Sequence, residues 1–352
     1  MLTIIFIILV TFADALDSVA LKKNADNQRL PLATQLLGIG FWRLVFTLVG
    51  SAIFIAIDAA AYFNGIDFIQ ILIVSGLALL LICQIYFWLV AAKNSPVSIL
   101  DPIALTRIAI FGFASWMLFG EALTPYQITL MGLVMLAAMA LGWSQSSTEK
   151  NKTEKRYNMS KGLLFLGLWL ICACTRNLVS KAFILDGTHP MALNSMQTVF
   201  FFVYMLAAVL FIYICQKQKN KKTVTQPNTV VSLDTTKASI PQRSAAPRPL
   251  LHIDKTKTQN NQPTPQGLLA QFKLILKNPW LALVGLAEIS GNVLLLYLYK
   301  TMNMGLLNAL LCLSPVLVII AGRFIFKEKL RPLTLVIAIL IVIGCILLNF
   351  NF

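Results

Sequence analysis

The residues of this chain that could do chemistry are ionisable groups set inside apolar runs. Asp14 and Asp17 fall in the first such run, Arg43 in the second, Asp101 and Arg107 in the fourth, Arg176 in the sixth, Glu288 in the eighth and Arg323 late in the ninth. A charge at bilayer depth costs a few kcal/mol on insertion scales, about 2.5–3.5 for Arg, Lys or Asp at a helix centre, so such groups pair or line a polar cavity. Asp14 and Asp17 are spaced i, i+3 and share a helix face, which makes them a candidate proton-coupling site. Glu288 has Asn292 one turn on and is the strongest single candidate for binding a proton or a cationic group. The alternative for each is a structural acid–Arg pair between helices, and for Asp101, Arg323 and Arg43, near span ends or within snorkelling reach, that alternative is favoured.

These charges stand out because their surroundings are so apolar. Of 352 residues, 58% are hydrophobic and only 12% are charged. The apolar residues come in runs long enough to cross about 30 Å of hydrocarbon. Runs and breakers predict ten spans, near 2–22, 36–57, 68–92, 97–119, 126–143, 162–184, 193–215, 279–300, 305–325 and 333–350. The first is read as a retained helix, because no Lys or Arg precedes it and two aspartates interrupt it. The expectation is therefore an all-α integral membrane protein.

The net charge of +15 sits mostly in two connectors. Residues 144–161 carry five basic residues against two acidic, and residues 216–278 carry eleven against two. Neither has the interleaved aromatics of a nucleic-acid module, so the charge reads as a membrane-surface signal and no nucleic-acid partner is expected. The segment 216–278, rich in Lys, Gln, Asn, Thr and Pro, predicts a long basic loop, disordered for most of its length. All six cysteines lie in or at the end of apolar runs, and the only histidines are His189 and His252, so neither a disulfide framework nor a metal site is expected.

Laying one half of the chain on the other reveals a duplication. LFGEALTP (118–125) matches IFKEKLRP (325–332), pairing Glu121 with Glu328 and Pro125 with Pro332 at an offset of 207, which also pairs Lys93 with Lys300. Upstream, an offset of 159 pairs Lys22 with Lys181 and Pro31 with Pro190. The domain reading is a first five-helix repeat over 1–143, a basic connector over 144–161, and a second five-helix repeat over 162–350 interrupted by 216–278. An odd number of spans per copy makes the second repeat enter from the opposite face, giving inverted topology, the arrangement of many secondary transporters. The acidic residues of the duplicated motif, just before a proline that suits the first position of the next helix, are expected to face that helix's positive end.

Together the two Phe-x-Glu-x-Leu-x-Pro stretches, Leu313-Ser314-Pro315, Arg43, and Lys22 and Lys181 at span ends resemble the ten-helix, EamA-like branch of the drug/metabolite transporter superfamily. The first-half position pairing with Pro315 is Ile108, with Pro102 six residues earlier, a departure from the pattern. The resemblance implies that spans one, three, four, six, eight and nine line a central cavity, which would gather Asp14, Asp17, Arg107, Arg176 and Glu288. Gln84, Tyr86, Trp88, Trp169, Asn177, Tyr297 and Asn308 are candidates for added recognition, although Trp and Tyr near span ends commonly anchor at the interface.

The functional expectation is a secondary transporter of a small polar organic solute, an amino acid or similar metabolite, working by alternating access in a cell (inner) membrane, with efflux implied by the resemblance. The sequence carries no enzyme signature, and without a Gly-Lys-Ser or Gly-Lys-Thr phosphate loop ATP is not the expected energy source. The partners expected are the solute, a coupling proton and the bilayer; no cofactor is expected, and a homodimer is an open alternative to a monomer. The rival reading is a scaffold or sensor whose basic loop binds a partner or anionic lipid. Lys and Arg in the short connectors concentrate on one side, which by the positive-inside rule puts both termini outside, whereas the resemblance implies termini inside.

Overall fold

The computed structural model describes residues 2–25, 30–63, 66–94, 104, 106–149, 159–224, 268–311, 313–325 and 332–347. Among these residues the chain is helical without a strand: α1 Leu2–Ala25, α2 Leu32–Phe63, α3 Phe68–Asn94, α4 Arg107–Phe119, α5 Pro125–Glu149, α6 Met159–Leu185, α7 Pro190–Val224, α8 Leu268–Lys277, α9 Pro279–Thr301, α10 Met304–Leu310, α11 Leu313–Ile325 and α12 Pro332–Leu347. Hydrocarbon offers backbone amides no hydrogen-bond partner, so apolar runs of this length close their bonds internally as helices. Six helices (within α1, α2, α3, α6, α7 and α9) are long and apolar enough to cross a membrane. Exposed Ile, Leu and Phe side chains, such as Ile57 and Phe68, cover the outside of the bundle, as lipid contact requires.

Local chemistry sets the helix ends. Asp67 Oδ1 accepts the Gln70 N–H at 2.7 Å to start α3. Thr124 and Gln127 form a reciprocal capping box at the start of α5, with bonds of 3.2 and 3.1 Å. Asn278 Oδ1 accepts the Trp280 N–H at 3.1 Å to cap α9, with Pro279 in the first turn, where its missing N–H costs nothing. Gly120, at φ 64°, ends α4 in the left-handed conformation that favours glycine. Inside α2 the backbone leaves helical geometry at Asp58, whose Oδ1 accepts the Ala61 N–H at 2.9 Å and restarts the last turn.

Several boundaries differ from those read in the sequence. The ninth span divides into α10 and α11: Leu311 still bonds back to Leu307, but Ser314 turns to the Leu311 carbonyl at 2.9 Å, and Pro315 has no N–H to resume the ladder. The basic connector 144–161 begins inside α5 and ends inside α6, and the segment 216–278 is helical at both ends, to Val224 and again from Leu268. In each case a polar sequence continues a helix that an apolar run has already started. Asp101, Pro102, Glu328 and residues 225–267 lie outside the described residues, and the described part of the fourth span begins at Ala104.

Helices of the first half pack on helices of the second. α1 lies on α9 and α11, α3 on α6 and α7, α2 on α7 and α9, α4 on α10, and α5 on α12. Lipid gives apolar faces little reason to associate, so close approach at small residues carries the packing. A Cβ on Gly285 would stand 2.7 Å from Trp42 Cβ and 2.9 Å from the Arg43 backbone nitrogen, so only glycine lets α9 lie this close to α2. Glu288 is one turn beyond Gly285, and this approach brings it to Arg43.

Candidate functional site

A cavity of about 130 Å³ lies among α1, α3, α4, α6, α9, α10 and the start of α11. Its wall carries Asp14, Asp17 and Ser18 from α1, Gln84 and Trp88 from α3, and Arg107 from α4. Trp169, Arg176 and Asn177 of α6 face them, with Glu288 and Asn292 of α9, Asn308 of α10 and Ser314 and Pro315 of α11. These are the spans the resemblance implied, and the five ionisable residues expected in the cavity all line it.

The carboxylates are not equivalent. Glu288 forms an ion pair and hydrogen bond with Arg43, whose side chain is fully buried and whose guanidinium carbon stands 5.7 Å from the Phe201 ring centroid. Asp14 has a looser partner in Arg107, at 3.6 Å and partly exposed. Asp17 Oδ1 is buried with no hydrogen-bond partner among the described residues. Arg176 is buried and, among the described residues, hydrogen-bonds only neutral oxygens, Asn177 Oδ1 at 3.2 Å and Asn292 Oδ1 at 3.4 Å. Among the described residues, one acidic and one basic group therefore remain without a tight counter-ion in the cavity wall, an arrangement able to receive a molecule carrying both charges, or a proton. Trp88 and Trp169, buried with ring centroids 5.0 Å apart, give that wall an apolar side.

Some expected residues are elsewhere. Tyr86 is partly exposed on the outside of α3, against the rings of Phe87 and Phe165, because it points away from the face shared by Gln84 and Trp88. Tyr297 leaves the cavity for an aromatic cluster with Phe54, Tyr62 and His189, its hydroxyl 3.1 Å from His189 Nε2. His189 stands between α6 and α7, where burial holds its imidazolium form below the usual histidine range despite Asp58. Arg43, for which the sequence favoured a structural acid–Arg pair without naming the acid, is the counter-ion of Glu288; the signal available for the partner was one acid and one Arg in separate spans with Gly285 a turn away. Arg323 and Pro332 lie in α11 and α12.

The first copy of the duplicated motif faces a different helix from the one expected. Glu121 pairs with Lys181, which is fully buried, and accepts hydrogen bonds from Ser115 and from the Met304 N–H, the last at 3.1 Å. The helix whose positive end it faces is thus α10 rather than α5, which starts one residue after its own cap, Thr124. Asn303 completes the junction by donating to the Glu121 carbonyl at 3.4 Å. These contacts join the α4–α5 turn, α6 and α10 at one end of the bundle. At the other end Lys22 donates to the Ala92 carbonyl at 3.1 Å.

Residues 249–350 match the model of the EamA-like transporter family. Over that segment, under a third of the chain, the sequence is similar to this family. A search of curated proteins gives no match. Among solved structures, one described as a crystal structure of a protein superposes on this chain with a TM-score of 0.58 at 14% identity, covering 98% of each chain. At that identity the likeness is one of fold. With six described helices long and apolar enough to cross a membrane, the chain is a multi-pass integral membrane protein.

Proposed function

We propose that this EamA-like protein is a secondary transporter that moves a small polar organic solute, an amino acid or similar metabolite, across a cell (inner) membrane by alternating access, in the direction of efflux. The observation that carries this reading is the cavity: three carboxylates and two arginines converge where seven helices from both halves meet, with Asp17 and Arg176 left without tight counter-ions among the described residues. The fine architecture proposed with it is ten spans in two inverted five-helix repeats, 1–143 and 162–350. Helix pairing supports this, because exchanging the halves turns the α1–α9 contact into α6–α3 and the α2–α9 contact into α7–α3, both of which exist. In such a fold a midplane site opens to each side in turn as the halves rock.

Within this mechanism Asp17 takes the proton or the solute's ammonium group, Arg176 the solute's anionic group, and the indoles of Trp88 and Trp169 its apolar part. Asn177, Asn292, Asn308 and Gln84 supply hydrogen bonds. The Glu121–Lys181–Met304 junction closes one end of the pathway while it holds. The basic side faces the cytoplasm, with both termini outside. Chemistry beyond binding and release is not part of the reading.

The test uses purified protein in liposomes with an internal pH dye, challenged with a pooled amino-acid and metabolite library. The expected result is proton movement that depends on one solute and is lost in Asp17→Asn, with Glu288→Gln and Asp14→Asn as comparisons. If no solute moves protons, coupling to a proton is wrong, and labelled-solute counterflow decides the rest. Absence of counterflow would overturn the transporter reading.

A further inference from the structure

At the end of the bundle away from the Glu121–Lys181 junction, α8 lies along α2. Ile275 is fully buried, Phe272 meets Phe41 edge to face at 6.1 Å, and Thr34 Oγ1 donates to Gln271 Oε1 at 3.3 Å, so this face is fixed to the bundle. The opposite face presents Lys273 and Lys277, one turn apart and exposed, with Leu276 exposed between them. Asn278, which follows α8, donates to Asn24 Oδ1 at 3.0 Å and so ties this corner to the end of α1. There the Lys23 ammonium stands 6.0 Å from the half-buried ring of Trp280.

Cationic heads, a bare leucine and an indole within two helical turns make a poor water-facing surface but suit the boundary of a bilayer. Ammonium groups sit at the depth of phosphate, aliphatic groups just below it, and tryptophan at headgroup level. The charge is also one-sided. Among the described residues, the acidic side chains are either in the cavity (Asp14, Asp17, Glu288) or on the far side of it, as Asp58, Asp67, Glu121 and Asp186 are, so the described charge at this corner is positive.

We propose that the exposed face of α8, with Trp280, binds the phosphate headgroup of an anionic phospholipid. The site rests on a rigid element that leads through Asn278 directly into α9, the helix of Glu288, and is independent of which solute the cavity takes.

Phosphatidylglycerol retained by the full-length protein from mixed phosphatidylcholine nanodiscs, counted by native mass spectrometry, tests this. Lys273→Gln/Lys277→Gln should weaken retention roughly thirty-fold, the product expected of two lysines at an anionic surface, while Lys273→Arg/Lys277→Arg and Lys93→Gln should retain it. Unchanged retention in the double Gln variant would overturn the site, as would equal loss with Lys93→Gln, which would mean diffuse charge. Loss in the Arg variant would trace the effect to packing and also refute it. Displacement by millimolar inorganic phosphate at constant ionic strength would transfer the site to a free anion and reject the lipid.

Discussion

Two hollows open off the same helix. α4 sends Arg107 into the polar cavity of about 130 Å³, and a little further along it sends Gly112, Phe113 and Trp116 into a groove of about 510 Å³ shared with α5. The groove is the larger, yet Leu123, Ile128, Met131 and Met135 complete it and among the described residues no ionisable group lines it. Phe113 and Trp116 are exposed at its mouth, as side chains facing acyl chains would be. In a bilayer, apolar space is filled by lipid at little cost, whereas polar space must be held open against the cost of buried charge. Size is therefore a poor guide to function here, and the density of ionisable groups is a better one.

The contrast breaks most severely at Arg43. Arg43→Ala should leave Glu288 buried without its counter-ion and destabilise the fold by about 3–5 kcal/mol, seen as loss of monodisperse protein and a lower melting temperature in detergent. Arg43→Met with Glu288→Leu should recover much of that stability. Recovery of transport as well would mean that the pair is purely structural and that the cavity's charges are not all functional.

A smaller effect is expected at the Glu121–Lys181 junction. Glu121→Gln removes the charge that Lys181 faces while keeping an acceptor for the Met304 N–H, so stability should fall by about 1–3 kcal/mol. Unfolding monitored in the same detergent would give the number. A change within error would mean that Lys181 finds another partner and that the junction holds nothing shut.

At Gly132 in the groove, a Cβ would meet nothing within 4 Å. Gly132→Leu should therefore alter stability by no more than about 0.5 kcal/mol and leave solute flux unchanged. A drop in flux comparable to that of Asp17→Asn would make the groove part of the pathway and erase the distinction between the two hollows.

The smallest effect is one of pH, at the aromatic cluster. Burial lowers the pKa of His189 in the folded protein, so the unfolded chain binds its proton more readily. The stability this group contributes is present above the ordinary histidine value of about 6.5 and is lost as pH falls toward the lowered one. Melting temperatures between pH 8 and pH 5 should drop less steeply in His189→Gln. Identical slopes would show that the proton is taken up elsewhere.

The membrane class and the long apolar helices were legible in the sequence, as were the charges set inside them, because hydrocarbon makes such groups costly to place; their gathering in one cavity was implied only by the resemblance. Asp17 and Glu288 stood out by type alone. Their difference did not, since it depends on which arginine reaches which acid, and that follows from the approach of α2 to α9 at Gly285. Tyr86 failed for a simpler reason: Gln84 and Trp88 are four residues apart and share a face, while Tyr86 lies midway and points to lipid. The helix faced by Glu121 could not be read from its neighbours either, because the motif places a proline four residues on and α10 lies 183 residues away from it. Local spacing suggested the nearer helix, and tertiary packing supplied the farther one.

That separation bears on how the protein is made. Glu121 leaves the ribosome 60 residues before Lys181 and 183 before Met304. At synthesis rates of 5–20 residues per second the second interval is about 10–40 s. Through it the half-built chain must keep a carboxylate at the headgroup level or in the insertion machinery, with its counter-ion arriving first and its amide donor last. The first half is thus inserted with an unmet obligation, and a chain arrested before residue 304 presents quality control with an acid that has nothing to cap.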